Sequence, residues 1–535
     1  MKIYFYFLFA FLALFTPLAF GGSEPWGLLV FNILCIGTGC FILFKRNKFS
    51  FNNLSLSILG LLSFIVILSF IQLLSQHTFL QKPSFLPFTL CRYYSLEGLS
   101  LLFSLSFFYF ALTQLIESSK EIKTMAWFLA GSAVLVSLIG ITWHRGEYIG
   151  LLTGTHWYNS FGPFTSRNNG SQFVMTSFFI SLIIWLPHFL LDKKRRFPNN
   201  NLWAFTFSAI LFIGVFFTHS RGGVIALCSG LFVLCFLGIC FFIKSKKSKI
   251  LYSLLSFCIF SGLIFLLVKY SSSIGLRQFG SFSDKSRLLL YGAAFDMLKD
   301  FPWTGVGFDA FSAAIDAYLK VSLKAFPRYL HSDWLELLLS FGYIYGTLIF
   351  IWIGLLIVKI SKLFTNLEPK KKLRLAIICA GLTGFSFTGV IDFPFHLPAC
   401  AILFFCLLGF ASAKTFDKNI KSFKIPLFLK IILLCLSCVL IVANIQYFRT
   451  WRNFLFAKKL SPQVQVERVS KDIGAYPSPI FIRRFLLSNY KNSQSKSFSD
   501  EERQEIKEKT HKFAADYLKK YPRDKEISQF FLITK

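Results

Sequence analysis

The chain has 535 residues, 54% of them hydrophobic and 18% aromatic, with 69 Phe and only 16% charged. Soluble domains carry about 25% charged residues, so this composition excludes a soluble enzyme, a disordered chain and a secreted disulfide scaffold. Lys and Arg number 57 against 26 Asp and Glu, a formal charge of +31, but the basic residues sit in short clusters between apolar runs, a pattern that reports membrane orientation and not a nucleic-acid partner.

Runs of about 20 apolar residues, enough to cross a bilayer core as helix, recur along the chain. The first, 3–20, follows a single Lys2 and is succeeded by GGSEPW without an A-x-A cleavage site, so it reads as an uncleaved span and not a signal peptide. Further spans are predicted at 26–44, 53–75, 96–116, 124–142, 170–190, 202–218, 223–243, 250–269, 336–358, 374–391, 396–413 and 425–446, thirteen in all. The fold class expected is all-α, a polytopic membrane domain over 1–446 followed by a small helical tail, 447–535.

The basic clusters test that count. KRNK (45–48), Lys120 with Lys123, KKRR (193–196), KSKKSK (244–249), KKKLR (370–374) and the stretch from Lys414 to Lys424 each follow an even-numbered span. The short intervening loops, such as 21–25 and 391–395, carry few or no Lys or Arg. One orientation satisfies every loop, with the N-terminus inside and the C-terminus outside. The expected location is therefore a membrane, crossed many times.

Three outward segments stand out. Residues 143–169 are polar and rich in Trp and Gly. Residues 270–335 form a long loop with helical signals of its own: a helical pattern from Asp284 to Lys299, ended by Pro302 and a TGVG turn. The tail contains an amphipathic helix over 499–521, with Ser499 and Glu502 at capping-box spacing and Phe513, Tyr517 and Tyr521 on one face. The basic tail is also a candidate to touch anionic lipid or glycan. The 12 cysteines lie mostly within apolar runs and read as small hydrophobes; Cys435 and Cys438 have CxxC spacing but no His or acidic neighbour.

Charge near a membrane is costly and tends to be functional. Arg167 and Asn168 lie in FGPFTSRNNG (161–170), Arg221 in FFTHSRGG (216–223) between two tightly joined spans, and Arg287 in the long loop. Gly222 and Gly223 are expected to let the backbone turn and approach a ligand. His331 opens the next span in YLHSDWLELLLSFG (329–342), and a His331–Asp333 pair beside outward arginines is a candidate for acid/base work. Arginine forks hold phosphate bidentately and stay charged. Arginines on an outward face therefore suit a lipid-linked diphosphate whose tail lies in the bilayer. No DxD pair or carboxylate cluster is evident in the outward sequence, so no metal and no cofactor is expected; a nucleotide-sugar donor is disfavoured by the location.

Four blocks together resemble the O-antigen ligase family of bacterial membrane glycosyltransferases: GPFTSRNN (162–169), THSRGG (218–223), the stretch from Arg287 to DFPWTGVG (300–307), and HSDWLELLLSFGYIYG (331–346). VIDFPFHLPACAILFF (390–405) resembles a further family segment. The likeness covers roughly 140–413, with Ser166, Ser332 and Ser340 where the family has Asn, Asn and Glu. The resemblance implies a periplasmic active site and transfer of a glycan from undecaprenyl diphosphate to an acceptor hydroxyl, such as a lipid A–core sugar, without metal or nucleotide. It implies that Arg221 and Arg287 hold the diphosphate and that His331 acts on the acceptor, with Arg167, Asn168, Asp333 and Asp392 as further substrate-binding positions. An O-antigen polymerase and a protein O-oligosaccharyltransferase use the same kind of donor and stay open. From other classes, so do a solute transporter and a non-catalytic scaffold for glycan assembly, although transporters place polar groups near the bilayer midplane and here the central spans are nearly free of charge.

Overall fold

The computed structural model describes residues 2–75, 85–142, 160–192, 199–269, 282–315, 318–319, 327–417, 419–457 and 499–520. They form an almost wholly helical bundle. In chain order the helices are α1 (Lys2–Leu18), α2 (Pro25–Lys45), α3 (Asn53–Leu74), α4 (Arg92–Leu115), α5 (Ser119–Thr142), α6 (Arg167–Leu191), α7 (Asn199–Phe217), α8 (Arg221–Phe242), α9 (Lys246–Lys269), α10 (Phe282–Asp300), α11 (Phe311–Ala314), α12 (Asp333–Leu363), α13 (Pro369–Ile391), α14 (Pro398–Ala411), α15 (Leu427–Ala457) and α16 (Asp500–Lys520).

Each of the thirteen predicted apolar segments falls on a helix. Ten helices are long and apolar enough to cross a membrane, and three are shorter: Lys2–Leu18, Asn201–Phe217 and Pro398–Ala411. The last, at 14 residues, spans about 21 Å at 1.5 Å per residue. Local chemistry sets the helix starts. Proline, whose missing N–H costs nothing there, opens α2, α13 and α14. Side-chain oxygens of Asn52, Ser220 and Ser332 cap α3, α8 and α12.

Burial sorts the helices into centre and rim. The apolar stretches of α4 and α6 are 72% buried, whereas that of α9 is 6% buried and faces the surroundings on nearly every side. α13 lies between α6 and α8 and packs closely on both.

The predicted inward loops gather at one end. There Lys2 pairs with Glu117 and Glu121, Lys414 with Glu117, and Lys370 with Asp192. The same end carries a two-stranded ribbon that the all-helical reading did not anticipate: β1 (Phe49–Asn52) pairs antiparallel with β2 (Ile420–Phe423). The two strands are four residues each and run straight into spans, which hides their alternation.

α12 is interrupted at Gly342, which has φ +65°. The freed backbone groups bond to the TGVG region: the N–H of Tyr343 donates to Pro302 O at 2.7 Å, and the N–H of Val306 to Leu339 O at 3.0 Å. A break at this depth persists because protein takes the place of water as the partner. In the tail, α16 occupies the predicted helix, and Ser499 and Glu502 make the reciprocal capping box, each backbone N–H donating to the other's side chain. The predicted tail boundary at 447 falls inside α15. Most of the outward loop 143–169 and of the tail lies outside the described residues.

Candidate active site

The end of the bundle opposite the lysine clusters brings together the N-termini of α6 and α8, the C-terminus of α13 and the side chain of Arg287 from α10. A cavity there is lined by Arg167, Asn168, Arg221, Arg287 and Asp392, five residues singled out from sequence. Two helices begin at its wall, at Arg167 and Arg221. Their positive dipole ends add to the guanidinium charge, an arrangement that suits an anion.

A directional hydrogen-bond chain runs along its floor. The Ser220 hydroxyl donates to Asn168 Oδ1 at 2.9 Å, and Asn168 Nδ2 donates to Asp392 Oδ2 at 2.9 Å. The other oxygen, Asp392 Oδ1, faces His331 Nδ1 at 3.2 Å. Arg287 reaches Asp392 Oδ2 at 3.5 Å. An ionised carboxylate only accepts, so Asp392 fixes the His331 proton on Nδ1 and leaves Nε2 with its lone pair. Among the described residues Nε2 meets no hydrogen-bonding group. The His331 side chain is 35% exposed while that of Asp392 is 6% exposed. Burial alone would raise the Asp392 carboxyl. The His331 hydrogen bond, the His331 and Arg287 charges and the Asn168 amide outweigh it and hold the group below the usual carboxylate range.

His331 takes a left-handed backbone, φ +58°, uncommon outside glycine. Tyr291 on α10 holds that turn by donating its hydroxyl to the His331 carbonyl at 2.8 Å. The edge of Phe393 packs on the ring.

Two expectations need correction. Asp333 does not pair with His331. It begins α12, and its side chain turns the other way, to His396 Nδ1 at 2.9 Å and the N–H of Phe395 at 3.0 Å. Only its backbone joins the first site, donating to the Asp392 carbonyl. The glycines after Arg221 are helical and serve close packing: a Cβ on Gly223 would fall 1.6 Å from Ser171 Oγ, and one on Gly222 2.8 Å from Ile391 Cδ1. Both also line the cavity.

Residues 206–351 match the family described as O-Antigen ligase. Over this segment the chain is similar to the O-antigen ligase family. The match takes in Arg221, Arg287 and His331; Arg167, Asn168 and Asp392 lie outside it and join them only in three dimensions. No curated protein matches the chain.

Beside this site lies a buried ionic cluster that sequence reading missed. His396 lies 3.5 Å from Asp309 and 3.7 Å from Glu336 through Nε2, with Asp333 on Nδ1. Arg328 grips Asp309 with both terminal nitrogens, at 3.1 and 2.8 Å, and reaches Glu97 at 3.2 Å. Burial would lower the His396 pKa, but the Glu336, Asp309 and Asp333 carboxylates raise it well above the usual value. The residues come from α4, α12 and three loops, so spacing in the chain carries no signal of the cluster. His396 stands within VIDFPFHLP, and its conspicuous histidine was the one available clue.

Proposed function

We propose that this protein is a membrane glycosyltransferase that moves a glycan from an undecaprenyl-diphosphate carrier to an acceptor hydroxyl. The observation that carries the reading is the convergence on Asp392 of His331, Arg287 and Asn168 at the wall of an arginine-lined cavity.

In this reading Arg221 and Arg287, with the N-termini of α6 and α8, hold the diphosphate. Arg167 flanks it. The acceptor hydroxyl lies against His331 Nε2. As its oxygen bonds to the anomeric carbon, its proton passes to Nε2. The bond from that carbon to the diphosphate oxygen breaks on the opposite face, so the anomeric centre inverts. The guanidinium groups meet the charge that develops on the leaving diphosphate, a role that metal ions fill elsewhere. Asp392 keeps the ring oriented and stabilises the imidazolium.

The acceptor assigned is a lipid A–core sugar, and the face assigned is the periplasmic one, opposite the lysine clusters. Reporter fusions at Lys247 and Lys535 test the orientation: opposite sides support it, and the same side overturns it. Purified protein given lipid-linked glycan and lipid A–core tests the reaction. Product and free undecaprenyl diphosphate support ligase activity; transfer only to glycan or only to protein reassigns the acceptor; no transfer to any of them returns the chain to a scaffold or transporter.

A further inference from the structure

A second cavity, of about 300 Å³, lies inside the bundle between α3, α4, α12, α13 and α14. Side chains such as Leu61, Ile65, Leu101, Ile353, Leu382 and Phe405 make it almost wholly apolar. One end closes on the carboxylates of Asp309, Asp333 and Glu336. Towards the other end its lining includes Ile58 on α3 and Ile360 on α12. The adjoining residues, Ser57 and Lys359, touch each other and line a third cavity, of about 880 Å³, between the start of α3, the end of α12, the start of α13 and residues 415–419.

That third cavity is basic. Lys359, Lys362 and Lys371 line it together with the carboxylates of Glu368 and Asp417, and Asp417 is already engaged by the N–H of Asn419. Among the described residues the three lysines make no ion pair. Lys359 and Lys362 lie at the end of α12 away from Asp333, and Lys371 lies in the first turn of α13, so the lysine mouth and the arginine cavity are at opposite ends of the bundle.

An apolar chamber of this size left empty forfeits contacts along its whole lining, and water gains nothing there for want of polar partners. Its two ends differ: at one the carboxylates are already engaged by His396 and Arg328, which leaves no free cation among the described residues there for a phosphate, and at the other the lysines would attract one. A molecule with a hydrocarbon chain and an anionic phosphate head matches both features in one orientation only. Basic pockets between membrane helices take such headgroups.

We propose that an anionic glycerophospholipid, from the leaflet at the lysine end, seats its phosphate among Lys359, Lys362 and Lys371 and threads an acyl chain between α3 and α12 into the apolar chamber. This site is separate from the arginine cavity and does not depend on the transfer reaction.

The test uses the full chain in nanodiscs of phosphatidylcholine with or without phosphatidylglycerol. Lipid retained after detergent extraction is read by native mass spectrometry, and thermal unfolding is read in parallel. The wild type should retain phosphatidylglycerol over phosphatidylcholine and unfold several degrees higher with it. Lys359→Gln/Lys362→Gln/Lys371→Gln should lose that preference, and Leu382→Trp, which fills the chamber and spares the lysines, should lose retention. Should the triple variant fail to fold, Lys362→Gln alone, at an exposed position, should lower the preference. Equal retention of both lipids by the wild type, or an undiminished preference in the lysine variants, overturns the proposal. So does protection by soluble glycerophosphoglycerol equal to that by the whole lipid, which would reduce the site to a phosphate pocket without a chain.

Discussion

His331 and Asp392 stand 61 residues apart in the chain, and their side chains meet at 3.2 Å, Nδ1 to Oδ1. The carboxylate selects the tautomer, so its charge matters more than its shape. Asp392→Asn should lower turnover by about 10²-fold or more, the usual contribution of a positioned acid/base group, while the protein still inserts. The depressed Asp392 pKa gives stability that is present above the unfolded value of about 3.9 and is lost as pH falls through the lower folded value. Unfolding measured below about pH 4 should therefore show a smaller acid dependence in the variant.

Arg221 and Arg287 reach the same cavity from different helices. Each changed to Ala should lose transfer by on the order of 10²-fold. Lys should rescue poorly, because a point charge cannot reproduce a planar fork. Near-normal kinetics of both Lys variants would reduce the arginines to a general field.

His331→Ala should lose transfer yet bind lipid-linked donor with nearly unchanged affinity, since the arginine cavity is intact. Binding and turnover measured on the same preparation separate the two. Loss of donor binding with the fold retained would move His331 to the diphosphate side.

His396 faces Asp333 and Glu336 from α12 and Asp309 from the loop before α11, with Tyr329 tilted against its ring. Its folded pKa is raised, so its contribution is complete below the unfolded value of about 6.5 and is lost as pH rises through the folded one. Thermal stability should fall on the alkaline side in the wild type and change less with pH in His396→Gln, which should start lower.

Gly342 has φ +65° and ψ −172°, a region essentially reserved for glycine, and a Cβ there would meet Gly305 N at 2.5 Å. Gly342→Ala should cost about 1–3 kcal/mol from backbone strain alone, with the clash added, and should show as a lower unfolding temperature in detergent.

The helices were legible because each rests on a local run of apolar residues, with Pro25, Pro369 and Pro398 marking starts. The capping box of α16 was legible because Ser499 and Glu502 are three residues apart. The arginines were legible as charges that a membrane chain retains only for a purpose. The partner of His331 was not. Asp333, two residues away, is the nearer carboxylate in sequence, but the left-handed turn at His331 sends the two side chains apart, and Asp392 arrives from the end of another helix. The Arg328–Asp309–His396 cluster was hidden for the same reason: its members share no local pattern.

Ser220, Asn168, Asp392, His331 and Arg287 each belong to a different helix or to the residues just before or after one. The full chain of contacts exists only when all of these helices have packed. On the proposed reading, a copy still assembling in the bilayer would hold arginines without an oriented base and would leave the donor unspent.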